Sequence, residues 1–201
     1  MVSPRRLLCD TRAASAAEFA LVLPLLMFLL FGVIDAGRFM WEYNEAEKAT
    51  QVGARMAVVT NILAPGVASA EMVGVGGLTQ GDRVPASALG TVACTNVSCT
   101  CTGTCPTGGL GTFDTTAFSA IVTRMQYMYP AIANTNVIVE YRGSGLGFAG
   151  DPNGSDISPL VTVKLTGVQF RPLAFLMFAT MTMPDFTTTL TAEDLSGTDS
   201  N

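Results

Sequence analysis

The chain has 201 residues, of which 13% are charged and none is histidine, and its formal net charge is −5. This length allows one folded domain beside a membrane segment. The acidic balance argues against nucleic-acid binding, which needs a basic surface. The lack of histidine removes the commonest general base and metal ligand. We therefore expect no enzyme, no metal site and no cofactor.

The first two segments are a basic leader, residues 1–13, and an apolar stretch, residues 14–34. Glu18 is the only acid of the stretch, which has the roughly 20 residues that a membrane-spanning helix needs. Positive charges lie before the stretch and acidic residues follow it, so the positive-inside rule places the N-terminus in the cytoplasm. No small-x-small cleavage site ends the apolar core, which favours a retained single-pass anchor over a secretory signal peptide.

Residues 35–63 have an amphipathic pattern, in which apolar side chains recur every three or four positions. This spacing predicts a helix that continues the membrane helix as one rod of about 75 Å. No strong stop signal appears before Ala64-Pro65-Gly66. Pro24 lies inside the apolar stretch and predicts a kink there.

Residues 64–201 are predicted to form the exported domain. Small residues from 67 to 113 favour a loop, and apolar spacing over 118–128 favours a helix capped by Thr115 or Thr116. Strands are predicted at 136–142, 160–168 and 186–192. The uncharged segment 172–183 is too short to cross a membrane and is expected to pack as a buried loop or short helix. The predicted fold class is therefore α+β, with a long N-terminal helix packed on a small antiparallel β-sheet.

Four cysteines are concentrated in the segment 94–105 of the exported part: Cys94, Cys99, Cys101 and Cys105. Four thiolates could hold zinc or an iron–sulfur cluster, but the spacing C-x4-C-x-C-x3-C matches neither the zinc ribbons nor the ferredoxins. Disulfides persist outside the cytoplasm, so we predict two disulfide bonds. Three pairings remain open.

The N-terminal string Arg12-Ala-Ala-Ser-Ala-Ala-Glu-Phe-Ala-Leu-Val-Leu-Pro-Leu-Leu, followed by Phe31-Gly-Val-Ile-Asp-Ala-Gly-Arg-Phe, resembles the TadE/TadG-like pseudopilins of tight-adherence (Flp, type IVc) pili. The resemblance covers about residues 12–55 and includes Gly32, Asp35 and Arg38. The short chain, without a convincing von Willebrand-type metal motif, is more similar to the TadE class.

The resemblance implies a pilin-like fold and cleavage between Ala13 and Ala14 by a prepilin peptidase. The family usually has glycine before this bond, where the chain has Ala13. Cleavage would put Glu18, followed by Phe19, at the fifth mature position. A carboxylate near the membrane edge costs about 2 kcal/mol or more on insertion scales. Glu18 would either pair with the α-amino group of a neighbouring subunit or extend to the cytoplasmic headgroups.

The function implied by the resemblance is that of a minor pilin or pseudopilin in assembly of a tight-adherence pilus. The implied partners are other pilins, the inner-membrane platform of the pilus system, the prepilin peptidase and the lipid bilayer. The implied location is the bacterial inner membrane with a periplasmic C-terminal domain, and entry into the surface pilus stays open. The alternative is a membrane-anchored exported binding or adhesion protein that uses the disulfide loop 94–105.

Overall fold

The computed structural model describes residues 11–152, 154–173 and 180–192, with side chains described from Ser15 onward. The chain divides into two compact units. The first contains Met1–Glu42 and Gln169–Met181, and the second contains Tyr43–Val168 and Thr182–Asn201.

The first element is helix α1, Thr11–Val59, which has 49 residues and runs through Pro24. At 1.5 Å per residue its length is about 74 Å, and the predicted continuous rod is confirmed. The helix ends earlier than the predicted residue 63. Leu63 is fully buried, and its backbone N–H donates to the hydroxyl of Tyr141 at 3.2 Å. The chain therefore leaves the helix after Val59 to place Leu63 in the core, before helix α2, Pro65–Ala68.

The sheet of the second unit has five antiparallel strands in the order β2-β1-β3-β4-β7. These strands are β1 Thr91–Cys94, β2 Cys99–Thr102, β3 Val137–Arg142, β4 Leu160–Leu165 and β7 Phe186–Thr191. Alternate residues of β4 are buried, as the period-two pattern predicts. The three predicted strands are confirmed, although each is shorter than predicted at one end.

The amphipathic end of α1 packs on this sheet within the second unit. Ala46, Ala49 and Ala57 are fully buried, and small side chains allow close packing. A Cβ atom at Gly53 would lie 2.7 Å from Met125 and 3.4 Å from Val163, so glycine is needed where α1 meets β4 and the helix that contains Met125. The predicted α+β class is confirmed.

Helix α3 is Thr115–Gln126, and its N-cap is Asp114. The Asp114 carboxylate accepts hydrogen bonds of 2.9 Å from the backbone N–H groups of Thr116 and Ala117. The predicted threonine caps are wrong, because both threonines already lie in the first turn. The apolar face of α3 is buried as predicted, except that Met128 follows the helix and is 42% exposed.

The segment 67–113 contains strands β1 and β2, so its assignment as a loop is wrong. Strands β1 and β2 contain threonine and valine beside alanine and cysteine, and sheet pairing selects an extended chain despite the small-residue composition. The prediction of disulfides is confirmed, and the structure pairs Cys94 with Cys99 and Cys101 with Cys105. Cys94 and Cys99 lie directly opposite each other on β1 and β2.

The segment 172–183 is only partly described, because residues 174–179 lie outside the described part of the chain. Strand β5, Gln169–Phe170, precedes the segment, and strand β6, Met181–Thr182, lies within it and pairs with β5. Leu173 is 45% exposed and Met181 is 53% exposed. The prediction of burial is therefore wrong at these two positions.

Candidate functional site

The apolar part of α1 leaves its side chains uncovered. The helix from Ser15 contains a stretch with a mean hydropathy of 2.5, of which 0% is buried in the protein. Phe19 and Phe28 are each 65% exposed, and Leu25 is 72% exposed. Exposed apolar area is unfavourable in water by roughly 25 cal/mol per Å². This helix has the length and composition of a membrane span and fits a single-pass membrane protein.

The residues predicted for processing and pairing lie near the start of this helix. Glu18 and Phe19 are both exposed on α1. Ala13 and Ala14 belong to the helix backbone, while their side chains lie outside the described part of the structure. Cleavage between them and the pairing of Glu18 stay predictions.

The end of the apolar stretch carries a polar group that we call the Asp35 cluster, formed by Asp35, Arg38 and Glu42. Asp35 is only 7% exposed, and the guanidinium of Arg38 lies 3.4 Å from its carboxylate. The other side of the guanidinium lies 3.3 Å from the carboxylate of Glu42. The spacings of three and four residues place these side chains on one face of the helix.

Residues 170–173, which belong to the same compact unit, make further contacts with this part of α1. The backbone N–H of Leu173 donates to the Asp35 carboxylate at 2.7 Å, and Arg38 donates to the carbonyl of Arg171 at 3.4 Å. The ring of Phe170 meets Phe39 edge to face, with centroids 5.3 Å apart. A buried carboxylate is tolerated when it is hydrogen bonded and paired, which is the state of Asp35.

An apolar groove of about 240 Å³ lies between α1 and this segment, within the first unit. Its lining residues are Gly32, Asp35, Ala36, Phe39, Phe170, Pro172 and Met181. A Cβ atom at Gly32 would have no neighbour within 4 Å. Glycine at this position therefore widens the groove and does not relieve a steric clash.

The structure places Gly32, Asp35 and Arg38 close together near the end of the apolar stretch, but not Glu18. Glu18 precedes Asp35 by 17 positions on a single helix, or about 26 Å. Phe170 and Leu173 were not predicted to contact this part of α1, because they are far from it in sequence. The only available signal was the need of Asp35 for a partner.

Chemical groups elsewhere in the described residues have structural roles. No group of three or more histidine, cysteine, aspartate or glutamate side chains in the described part could hold a metal ion. Burial raises the pKa of Tyr141, whose hydroxyl accepts the Leu63 N–H. This hydroxyl therefore joins the segment that follows α1 to strand β3 and has a structural role.

Residues 13–55 match a family model described as TadE-like protein. Proteins of this family are structural proteins of the pilin type and are not known as enzymes. No curated protein and no solved structure matches the chain. The matched segment contains the exposed apolar part of α1 and all three residues of the Asp35 cluster. The similarity to TadE-like proteins therefore concerns α1.

Proposed function

We propose that the chain is a minor pilin or pseudopilin that takes part in assembly of a tight-adherence pilus. Its mechanism is packing of α1 against other pilin helices in the inner membrane, with no reaction catalysed. The observation that carries the proposal is the overlap between the TadE-like match at 13–55 and a helix whose apolar side chains are 0% buried in the same stretch. An apolar helix face that its own fold does not cover is suited to lipid and to other helices.

Glu18 is the residue that would give this packing a register. Cleavage after Ala13 would create an α-amino group at Ala14, about 6 Å from Glu18 along the helix axis. A neighbouring helix displaced by about this distance would bring its amino group beside the Glu18 carboxylate. Pairing would then offset the cost of about 2–3 kcal/mol for an isolated acid in the membrane.

The charge pattern and the disulfides support an inner-membrane orientation with the second unit in the periplasm. Arg5, Arg6 and Arg12 precede the apolar stretch, which favours a cytoplasmic N-terminus. The two disulfides belong to the part that follows the stretch, and disulfides persist in the periplasm. Both features favour a cytoplasmic N-terminus and a periplasmic second unit.

The proposal is tested by complementing a strain that lacks this protein with Glu18→Ala, and with Glu47→Ala as the matched control. Glu47 is an exposed glutamate on the amphipathic part of the same helix. We expect Glu18→Ala to remain in the membrane fraction while the number of surface pili falls strongly, and Glu47→Ala to assemble pili normally. Normal piliation by Glu18→Ala would contradict a pairing role for this acid.

A second candidate function, an anchored binding protein, is favoured by the disulfide hairpin. Val97 lies at the turn between β1 and β2 and is 74% exposed, and two disulfides stabilise this segment. Replacing residues 15–34 by an unrelated membrane span distinguishes the two functions. A pilin loses assembly with the foreign span, whereas a binding protein needs only an anchor and keeps its function.

A further inference from the structure

We propose that the segment 169–173 together with Met181, called here the β5–β6 ribbon, is a second lipid contact that lies in the membrane interface beside α1. The occupant of its apolar groove is then the outer part of the lipid layer. This inference rests on the membrane insertion of α1 that the proposed function includes, and it adds a contact that no part of the TadE-like match covers.

The depth of the ribbon is set by its bonds to α1. Asp35 directly follows Ile34, the last residue of the apolar stretch. Its carboxylate accepts a hydrogen bond of 2.7 Å from the backbone N–H of Leu173. The contact between Phe39 and Phe170 lies about 6 Å further along the helix. The headgroup region on each side of a bilayer is about 5–8 Å thick. If the hydrocarbon core ends near Ile34, the ribbon lies in this region.

The surface of the ribbon is apolar where a lipid contact requires it. Leu173 and Met181 are 45% and 53% exposed, and the groove between α1 and the ribbon, which Met181 lines, is mainly apolar. The sequence from Pro172 to Pro184 contains no charged residue. Arg171 and Asp185 flank this run, so charged groups return at once on both sides. An apolar run of this length is too short to cross a membrane and is compatible with a segment that lies in the interface.

Two backbone polar groups of the ribbon have partners on α1. The Leu173 N–H is bonded to Asp35, and Arg38 lies between Asp35, Glu42 and the Arg171 carbonyl. Unpaired backbone groups are costly in lipid, so these two hydrogen bonds lower the cost of placing the ribbon in the interface.

Lipid is favoured over a second protein because the groove continues the exposed face of the apolar helix. Gly32 and Ala36 belong both to the groove and to the matched segment of α1. The apolar side chains on the preceding turns, Phe28 and Leu29, are 65% and 67% exposed. Lipid can therefore cover the exposed face of α1 and the groove as one continuous surface.

Tryptophan fluorescence can measure the depth directly, because the chain has one tryptophan, Trp41. The full chain with Trp41→Phe serves as background for Leu173→Trp and for Met181→Trp, each in vesicles of phosphatidylcholine brominated near the headgroup or deep in the acyl chain. Leu26→Trp in the same background reports insertion of the span. Unbrominated vesicles give the reference intensity, and the presence of both disulfides confirms folding of each variant.

We expect Leu173→Trp and Met181→Trp to lose more fluorescence to shallow bromines than to deep ones, and Leu26→Trp to lose most to deep bromines. Quenching at Leu26→Trp together with no quenching at either Leu173→Trp or Met181→Trp would overturn the inference and leave the span intact. The same result is expected if a second copy of the chain covers the groove. Absence of quenching at Leu26→Trp would contradict membrane insertion and with it the proposed function.

Discussion

The carboxylate of Asp35 accepts a hydrogen bond of 2.7 Å from the backbone N–H of Leu173, a residue 138 positions further along the chain. This bond joins the end of the apolar helix to the segment that contains β5. Asp35 is only 7% exposed, and its carboxylate also lies 3.4 Å from the guanidinium of Arg38. The buried acid is therefore both ion-paired and hydrogen bonded. The end of the apolar stretch of α1 is therefore also the attachment point of a distant segment.

Replacement of Asp35 by alanine is expected to release this segment. A hydrogen bond to a charged group contributes about 1.5–3 kcal/mol, so exchange of the Leu173 amide proton should become about 10- to 100-fold faster. Hydrogen exchange with mass spectrometry on the full chain in lipid nanodiscs measures this rate. Asp35→Asn keeps an acceptor oxygen and should accelerate exchange less. Equal protection of Leu173 in Asp35→Ala and in the unmodified protein would show that the bond does not hold the segment.

Asp156 is expected to make the fold sensitive to acid. Burial raises the pKa of Asp156, but hydrogen bonds from the backbone N–H groups of Gly150, Met72 and Asp151 outweigh this effect, so the pKa lies below its ordinary value. A group with a lowered pKa stabilises the fold above its unfolded pKa of about 3.9, and this contribution disappears as the pH falls through the folded pKa. Stability should therefore decrease below about pH 4.

The measurement is thermal unfolding of the full chain in detergent at pH 7, 4 and 3. Asp156→Asn should lower the free energy of unfolding by about 1–3 kcal/mol at pH 7 and should show a smaller further loss at low pH. Asp82→Asn is the matched control. The pKa of Asp82 is also lowered, by hydrogen bonds from Thr79, but its side chain is exposed and its loss should change stability less. Parallel pH profiles for Asp156→Asn and the unmodified chain would contradict this role of Asp156.

The two disulfides should contribute unequally to stability. Each closes a short loop, for which the chain-entropy model gives about 2 kcal/mol. Cys94 is fully buried, whereas Cys105 is exposed, so loss of the first disulfide also removes core packing. We expect Cys101→Ala with Cys105→Ala to lower Tm by about 4–8 °C, and Cys94→Ala with Cys99→Ala to lower it further. A larger effect of the Cys101–Cys105 pair would show that the buried site is not the more important one.

Local patterns were enough to predict the long helix and three of the sheet strands. The apolar stretch passes into a three-to-four-residue spacing without a strong stop, so α1 follows from periodicity. Strands β3, β4 and β7 contain the β-branched residues that favour extended chains. The cysteine spacing and the exported position of the cluster likewise favoured disulfides over a metal site.

The missed features depend on contacts between distant residues. Strands β1 and β2 are rich in threonine, alanine and cysteine, and their extended form follows from pairing of β1 with β3. The partner of Cys94 could not be chosen without the register that places it opposite Cys99. Phe170 and Leu173 carry no local signal that connects them with Phe39 and Asp35. Of the residues at this contact, the sequence singled out only Asp35 and Arg38 on the helix.

N-terminal sequencing of the membrane-extracted protein, from cells with and without the prepilin peptidase, tests the central claim most directly. A pilin-type subunit is predicted to begin at Ala14 when the peptidase is present and to keep residues 1–13 when it is absent. This result would place Glu18 at the fifth mature position, where it can meet the amino group of a neighbour. Retention of residues 1–13 in both strains would contradict processing as a pilin and would leave α1 as an anchor alone.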